Sequence, residues 1–302
     1  MNEVVTINGN FEDMAKAMGM TGASGTDVTK KSVSSLARLR INHTPIMGTT
    51  EINGKSVNIE QIPSGSYKIE IPDSGTYYQS DLEIRPFMQR YMYKRFIKGS
   101  DDSPNRYVKT VMADNLDVDL KDNDGGHNCG KPAGYIQDFN ALPDKQKELI
   151  RQIKRVRVVF GLAKFDKAMQ MDGDVAVPSD LGHVPFIWEV ENREGFKTVG
   201  EVFKKLGNMK RLPVNHLIHA SSEERKLPNG NTYYVPSTKL DLSSKIETSD
   251  EDQELFGNLL AWVTNYNQYI MSQWNENVHN HENVDASMVE SFIDITTEEK
   301  VQ

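Results

Sequence analysis

The order of periodicities between residues 155 and 240 restricts the fold more than any other feature. RVRVVFGLAKF, 155–165, alternates with a period of two. Val156, Val158, Phe160 and Leu162 would share one face, and Arg155 and Arg157 would begin the other. GHVPFIWEV, 182–190, reads as a second strand. EGFKTVGEVFKKL, 194–206, changes to helical spacing, with Phe196, Val199, Val202, Phe203 and Leu206 on or near one side. LPVNHLIHAS, 212–221, returns to a strand, and ERKLPNGNTYYVP turns at Asn229–Gly230 into another. A strand, helix, strand, hairpin sequence predicts a sheet carrying a helix.

Upstream, SVNIEQI, SYKIEI and GTYYQS are short β-prone segments interrupted by Pro63, Gly65, Pro72 and Gly75. RYVKTVMAD, 106–114, is a further strand candidate. A short helix is expected near Phe11–Met18, followed by the Gly/Ser/Thr-rich stretch GMTGASGTDVTKKSVSS, which has the composition of a flexible linker. ALPDKQKELIRQI suits a short helix with Pro143 in its first turn. Leu255, Leu259, Trp262, Val263, Tyr266, Tyr269 and Ile270 mark the buried stripe of a long helix over Gln253–Trp274.

Of the 302 residues, 37% are hydrophobic and 26% charged, which supports a real core. No stretch approaches the length of a membrane span, and the opening residues do not read as a secretory signal. Cys129 is the single cysteine, so an internal disulfide is impossible and a reducing cytoplasm is the expected compartment. The net charge of −8 is unevenly placed. From Asp250 onward eleven acids face Lys300 alone, whereas the first 249 residues hold 34 bases and 32 acids. Affinity for a polyanion depends on the local field of a groove, so the slightly basic body keeps a nucleic-acid reading open.

LEIRPFMQRYMYKRFI, 82–97, is the most unusual run. Read as a strand, it separates Leu82, Ile84, Pro86, Met88, Arg90, Met92, Lys94 and Phe96 from a second row. That second row interleaves Arg85 and Arg95 with Phe87, Tyr91 and Tyr93. Such a surface neutralises phosphates while its rings stack on unpaired bases, each stack worth roughly 1–3 kcal/mol with little regard to sequence. A helical reading would instead align Phe87, Tyr91 and Arg95, and rings on ordinary sheets also pack across strands. Pro86 predicts an edge position or a bulge. Tyr67 and Lys68, with Arg155 and Arg157, supply further rings and cations, giving a DNA-binding set of Tyr67, Lys68, Arg85, Phe87, Tyr91, Tyr93, Arg95, Arg155 and Arg157. Lys197, Lys204, Lys205, Lys210 and Arg211 decorate the later helix and its exit.

Enzymatic motifs are weak. Asp114, Asp117, Asp119, Asp122 and Asp124 are dense enough to suggest magnesium in a nuclease, but they fit no calcium-loop template and read better as a solvated loop over 113–134. His127 and Cys129 make at most half a metal site. No Ser/His/Asp triad can be assigned from spacing. SGSYK and GASGT lack a phosphate-cradling pattern, which counts against ATPases, kinases, helicases and nicotinamide enzymes. No metal or other cofactor is expected.

RVRVVFGLA, VPFIWEV with GFKTVGEVFKKL, LPVNHLIHAS and NGNTYYVP together resemble the single-stranded DNA-binding proteins of tailed bacteriophages, especially divergent ones of marine phage. HNCGKPAG looks like a reduced form of a cysteine-containing segment of that family. The resemblance implies an α+β chain with a β-rich, OB-like barrel core, peripheral helices and an acidic C-terminal tail. It implies sequence-tolerant coating of single-stranded DNA in phage replication and recombination, within the cytoplasm of an infected host. The tail would contact replication or recombination proteins or occupy the groove. The expected organisation is an N-terminal helix and linker over 1–35, an OB-like body over 36–248, a helix over 249–275 and a flexible acidic tail over 276–302. The competing readings are a metal-dependent nuclease using the 114–124 carboxylates and a phage structural or assembly protein.

Overall fold

The computed structural model describes residue 18 and residues 36–99, 104–132, 136–243 and 245–282. The helix and linker expected within 1–35, Met18 excepted, and the tail beyond residue 282 lie outside the described residues. The chain forms two compact units. The first takes in the described residues of Met1–Met92, Ala113–Asn115 and Lys154–Thr264; the second takes in those of Tyr93–Met112, Leu116–Ile153 and Asn265–Gln302.

Among the described residues seven strands precede the first α-helix: β1 (Ala37–Ile41), β2 (Ile46–Ile52), β3 (Lys55–Ile62), β4 (Tyr67–Ile71), β5 (Gly75–Gln79), β6 (Leu82–Ile97) and β7 (Arg106–Lys109). Helix α1 (Asp144–Gln152) leads into β8 (Ile153–Phe165), then β9 (Ala168–Asp172), β10 (Val175–Ser179) and β11 (Gly182–Val190). Helix α2 (Arg193–Asn208), β12 (Ile218–Lys226), β13 (Thr232–Leu240) and α3 (Asp250–Glu282) complete the order. The expected succession of strand, helix, strand and hairpin appears as β11, α2, β12 and β13. The long final helix is present but runs to Glu282, so residues 276–282 are helical, not tail.

The main sheet has 11 strands in the order β10-β9-β5-β4-β1-β11-β8-β6-β12-β13, with β7 on the far part of β6. It is mixed, because β1 runs parallel to β11 while the other described ladders are antiparallel. The barrel implied by the family resemblance is absent, and the OB-fold assignment falls with it. The strand path starts at β10 and stops at β13, and among the described residues no ladder joins those ends. The reason lies in the central strands. A barrel strand turns one face inward and one outward, whereas Val156–Gly161 of β8 form an unbroken buried run. Arg157 meets α2 through its bond to the Phe196 carbonyl. Phe160, of opposite parity, meets Trp262 of α3 with ring centroids 5.7 Å apart. Helices cover both faces of the strand, as in an open layered sheet.

Within the first unit, Leu39, Tyr67, Ile69, Leu82, Ile84, Val159, Phe165, Phe186 and Trp188 pack with Val199, Val202, Phe203 and Leu206 of α2. Each such side chain contributes about 1.5–3 kcal/mol of burial. Asn192 caps α2 by accepting from the Glu194 and Gly195 amides at 2.8 and 3.2 Å. In the sheet order strand β6 lies between β8 and β12. The β12 ladder ends at Ile84, before the proline and its missing N–H. Gly161 admits the close approach of β8, since a Cβ there would stand 2.2 Å from the Arg85 carbonyl oxygen. Outside the main sheet, β2 and β3 form a two-stranded sheet turning at Asn53–Gly54.

In the second unit, Lys94–Ile97 of β6 pair with β7, and residues 116–132 fold against α3. This segment is a compact knot, not the solvated loop expected from its composition: Leu120, Asp122, Asn128 and Cys129 are buried. Asp122 accepts from the amides of Asp124, Gly126 and Cys129 at 3.0, 2.9 and 3.0 Å. Asn267 of α3 pairs with both backbone groups of Met112, at 2.7 and 3.0 Å, as a neighbouring strand would. Trp274 donates to the Gly126 carbonyl at 3.1 Å, and Lys121 lies 3.7 Å from its ring centroid. No helix among the described residues is long and apolar enough to cross a membrane.

Candidate nucleic-acid interface

The sequence-derived DNA-binding set does not stay together. Tyr67 is fully buried, donates to the Ser221 carbonyl at 2.9 Å and meets Trp188 edge-on at 5.9 Å. Burial raises its phenol pKa, which keeps it a neutral donor. Lys68 pairs with Glu70 at 2.8 Å, and that bond holds the Glu70 carboxyl below its usual range. Phe87 and Tyr93 are buried, so neither ring has a face for a base. Arg85 makes a bidentate pair with Asp252 at 2.8 and 2.7 Å and donates to the Val214 carbonyl at 2.6 Å. Arg95 is half-buried in the second unit and donates to the Cys129 carbonyl at 3.3 Å. Strict alternation had put Arg85 and Tyr91 in one row; the fold gives them different surroundings.

Tyr91, Arg155 and Arg157 do come together, along α2. Arg157 sits on β8 with its guanidinium 4.9 Å from the Tyr91 ring centroid and 4.6 Å from that of Phe196. It donates to the Tyr91 hydroxyl at 2.8 Å, to the Phe196 carbonyl at 3.1 Å and to the Gln89 side-chain oxygen. Burial pulls its pKa down, and the Tyr91 oxygen partly offsets that. Gly200 makes the arrangement possible, because a Cβ there would lie 2.2 Å from Arg157 Nη2. Arg155 is exposed and also stands over Phe196, at 5.6 Å. The Tyr91 and Phe196 rings are 6.0 Å apart and inclined at 49°.

These residues line an open groove of about 750 Å³. Arg193, Lys197 and Lys204 add three cations from α2, against Glu201 as the one acid of its lining. Lys197 and Glu201 are loosely paired at 3.9 Å. The groove thus combines half-exposed rings with a strongly positive wall inside a nearly neutral body. Phe196 was legible only as a core-facing helix position. The signal that marks it is Gly200: an isolated helical glycine costs about 1 kcal/mol relative to alanine and implies a close neighbour. Lys205, Lys210 and Arg211 follow on α2 and its exit, outside the groove lining.

The carboxylates that suggested a nuclease are engaged internally. Asp114 pairs with buried Arg90 at 3.3 Å, Asp119 accepts from the Asn128 amide at 2.7 Å, and Asp124 pairs with Arg106. Burial raises the Asp122 pKa against the pull of its three amide donors. His127 packs on Trp274 at 5.9 Å, while Cys129 is buried with its thiol pKa pushed up. Among the described residues no group of three or more His, Cys, Asp or Glu is placed to hold a metal ion.

No family model, curated protein or solved structure matches the chain.

Proposed function

We propose that this protein binds single-stranded DNA, with little regard to sequence, through the groove between α2 and the β6–β8 strands. The observation that carries the reading is Arg157 packed against both the Tyr91 and Phe196 rings in a groove lined by four more cations. Phosphates meet Arg155, Arg193, Lys197 and Lys204, while bases stack on the open parts of Tyr91 and Phe196. Backbone neutralisation and ring stacking are both indifferent to base identity. A groove of this kind suits stoichiometric coating of displaced strands in replication and recombination. The reading rests on the groove and not on the family resemblance, whose barrel the fold lacks.

Equilibrium binding of oligothymidylate and of duplex DNA over a salt series tests it. Single strands should bind more tightly than duplex, and Phe196→Ala should weaken them by about tenfold or more, the loss of one stacked base. Equal affinity of both DNAs for wild type, or an unchanged affinity in Phe196→Ala, overturns the proposal.

A further inference from the structure

Arg193, Lys197, Gly200 and Lys204 follow one another on α2 at intervals of four, three and four residues, the spacing that keeps side chains on one stripe of a helix. All four line the groove. At about 1.5 Å of rise per residue, the last three stand about 6, 10.5 and 16.5 Å along the axis from Arg193. The one position without a side chain is filled from the sheet: the Arg157 guanidinium lies where a Gly200 Cβ would project, with Nη2 its nearest atom. The stripe therefore carries a cation at each of four steps.

Arg157 is buried, and its Nε and Nη1 are committed to the Phe196 carbonyl, the Gln89 side chain and the Tyr91 hydroxyl. Its Nη2 has no acceptor among the described residues. A largely desolvated guanidinium with an unmet donor calls for an acceptor, and an anionic oxygen is the strongest one. Arg193 and Lys204, near the two ends of the stripe, are exposed and have no ion pair among the described residues. The length of the steps decides what the ladder fits. Phosphates of a strand with stacked bases fall about 3.4 Å apart along its axis, whereas the cations are set about 4.5–6 Å apart. Longer steps match a strand drawn out with its bases unstacked, and unstacked bases are what the Tyr91 and Phe196 rings can receive.

We infer that a single strand lies along α2 as an extended chain, one phosphate to each cation from Arg193 to Lys204, so that the groove selects weakly self-stacked pyrimidine tracts over purine tracts. The inference rests on the proposed function for the class of ligand and adds its direction, length and base preference. Drawing out a purine tract breaks its own base stacking before the protein contributes any. A preference of this origin follows stacking strength and backbone flexibility, not hydrogen-bond readout.

Equilibrium binding of the full chain to oligothymidylate and oligodeoxyadenylate of two to ten nucleotides, over a salt series, tests it. A five-nucleotide oligothymidylate carries four phosphodiesters, so affinity should climb steeply to that length and slowly beyond it. At equal length thymidylate should bind severalfold more tightly than deoxyadenylate. With the five-nucleotide ligand, Arg193→Gln and Lys204→Gln should each lower the magnitude of the logarithmic salt slope by about 0.7, because one short strand reaches both. Both side chains are exposed, so neither change threatens the fold. Deoxyadenylate bound as tightly as thymidylate, affinity climbing evenly to ten nucleotides, or a slope altered by only one of the two variants or by neither overturns the inference and leaves the groove reading in place. Absence of single-strand binding by wild type overturns both.

Discussion

The guanidinium of Arg157 lies 4.6 Å from the centre of the Phe196 ring, in space left open by the missing side chain of Gly200. A cation so placed is partly desolvated, oriented by three acceptors and backed by aromatic faces. It adds positive charge to the groove beside the inclined Tyr91–Phe196 pair.

Gly200→Ala should therefore separate stability from binding. Alanine favours the helix by about 1 kcal/mol, while its Cβ displaces Arg157 and breaks hydrogen bonds each worth about 1 kcal/mol. Thermal unfolding should shift by only a few degrees, whereas oligothymidylate affinity should fall severalfold. Combining it with Arg157→Ala should give less than the sum of the two losses, because both act through one guanidinium. Additive losses would show that Gly200 acts elsewhere.

Stacking and charge should separate on a salt series. Phe196→Ala should lower affinity by a similar factor at every salt concentration. Arg155→Ala should instead reduce the magnitude of the logarithmic salt slope by about 0.7, the value for one contact to a single strand. Identical slopes in wild type and Arg155→Ala would place Arg155 away from phosphate.

Arg85 belongs to the folding energy. Its pair with Asp252 is largely buried, at 12% and 9% side-chain exposure, so Arg85→Ala leaves a carboxylate without its partner. Chemical denaturation should show a loss of about 3–5 kcal/mol. At a temperature where the variant remains folded, oligonucleotide affinity should match wild type. A binding loss without destabilisation would return Arg85 to the interface.

Asp122→Ala should destabilise the second unit, since three amides lose their acceptor, that of Cys129 fully buried and those of Asp124 and Gly126 partly so. Each unsatisfied buried donor costs about 1–3 kcal/mol. Hydrogen exchange should accelerate across residues 116–132 before it does in β8. Equal protection in variant and wild type would show that these amides need no carboxylate.

His43 predicts a mild acid sensitivity. Its Nδ1 accepts the Tyr234 amide at 3.1 Å, which requires a neutral ring, and partial burial lowers its pKa below 6.5. The unfolded chain then takes up a proton at a higher pH than the folded one. Stability falls as pH drops below about 6.5 and levels off beneath the folded pKa. Melting temperatures of His43→Gln should decline less than wild type between neutral and mildly acidic pH; equal declines would remove His43 from the account.

The strand and helix order of residues 155–240 was legible because side-chain periodicity is a local property. A hydrophobic repeat reports which face is buried without naming what buries it. The Asn229–Gly230 turn was legible for the same reason, as was the existence of α3, though its last residues were not. The 113–134 segment was misread because composition records polarity, while the fold buries Asp122 by supplying amide donors from its own turns.

By itself the sequence determined that a sheet would form, that a helix would lie on it, and that arginines and aromatic rings would be concentrated on β6 and β8. Only the tertiary structure decided which of them face solvent. Tyr67, Phe87 and Tyr93 went to the core, Arg85 to Asp252, and Tyr91 with Arg157 to the groove beside Phe196. A ring or guanidinium carries no mark of its destination. That depends on which strand neighbours it, whether a helix covers its face, and whether an acid lies within reach, and each partner comes from a distant part of the chain.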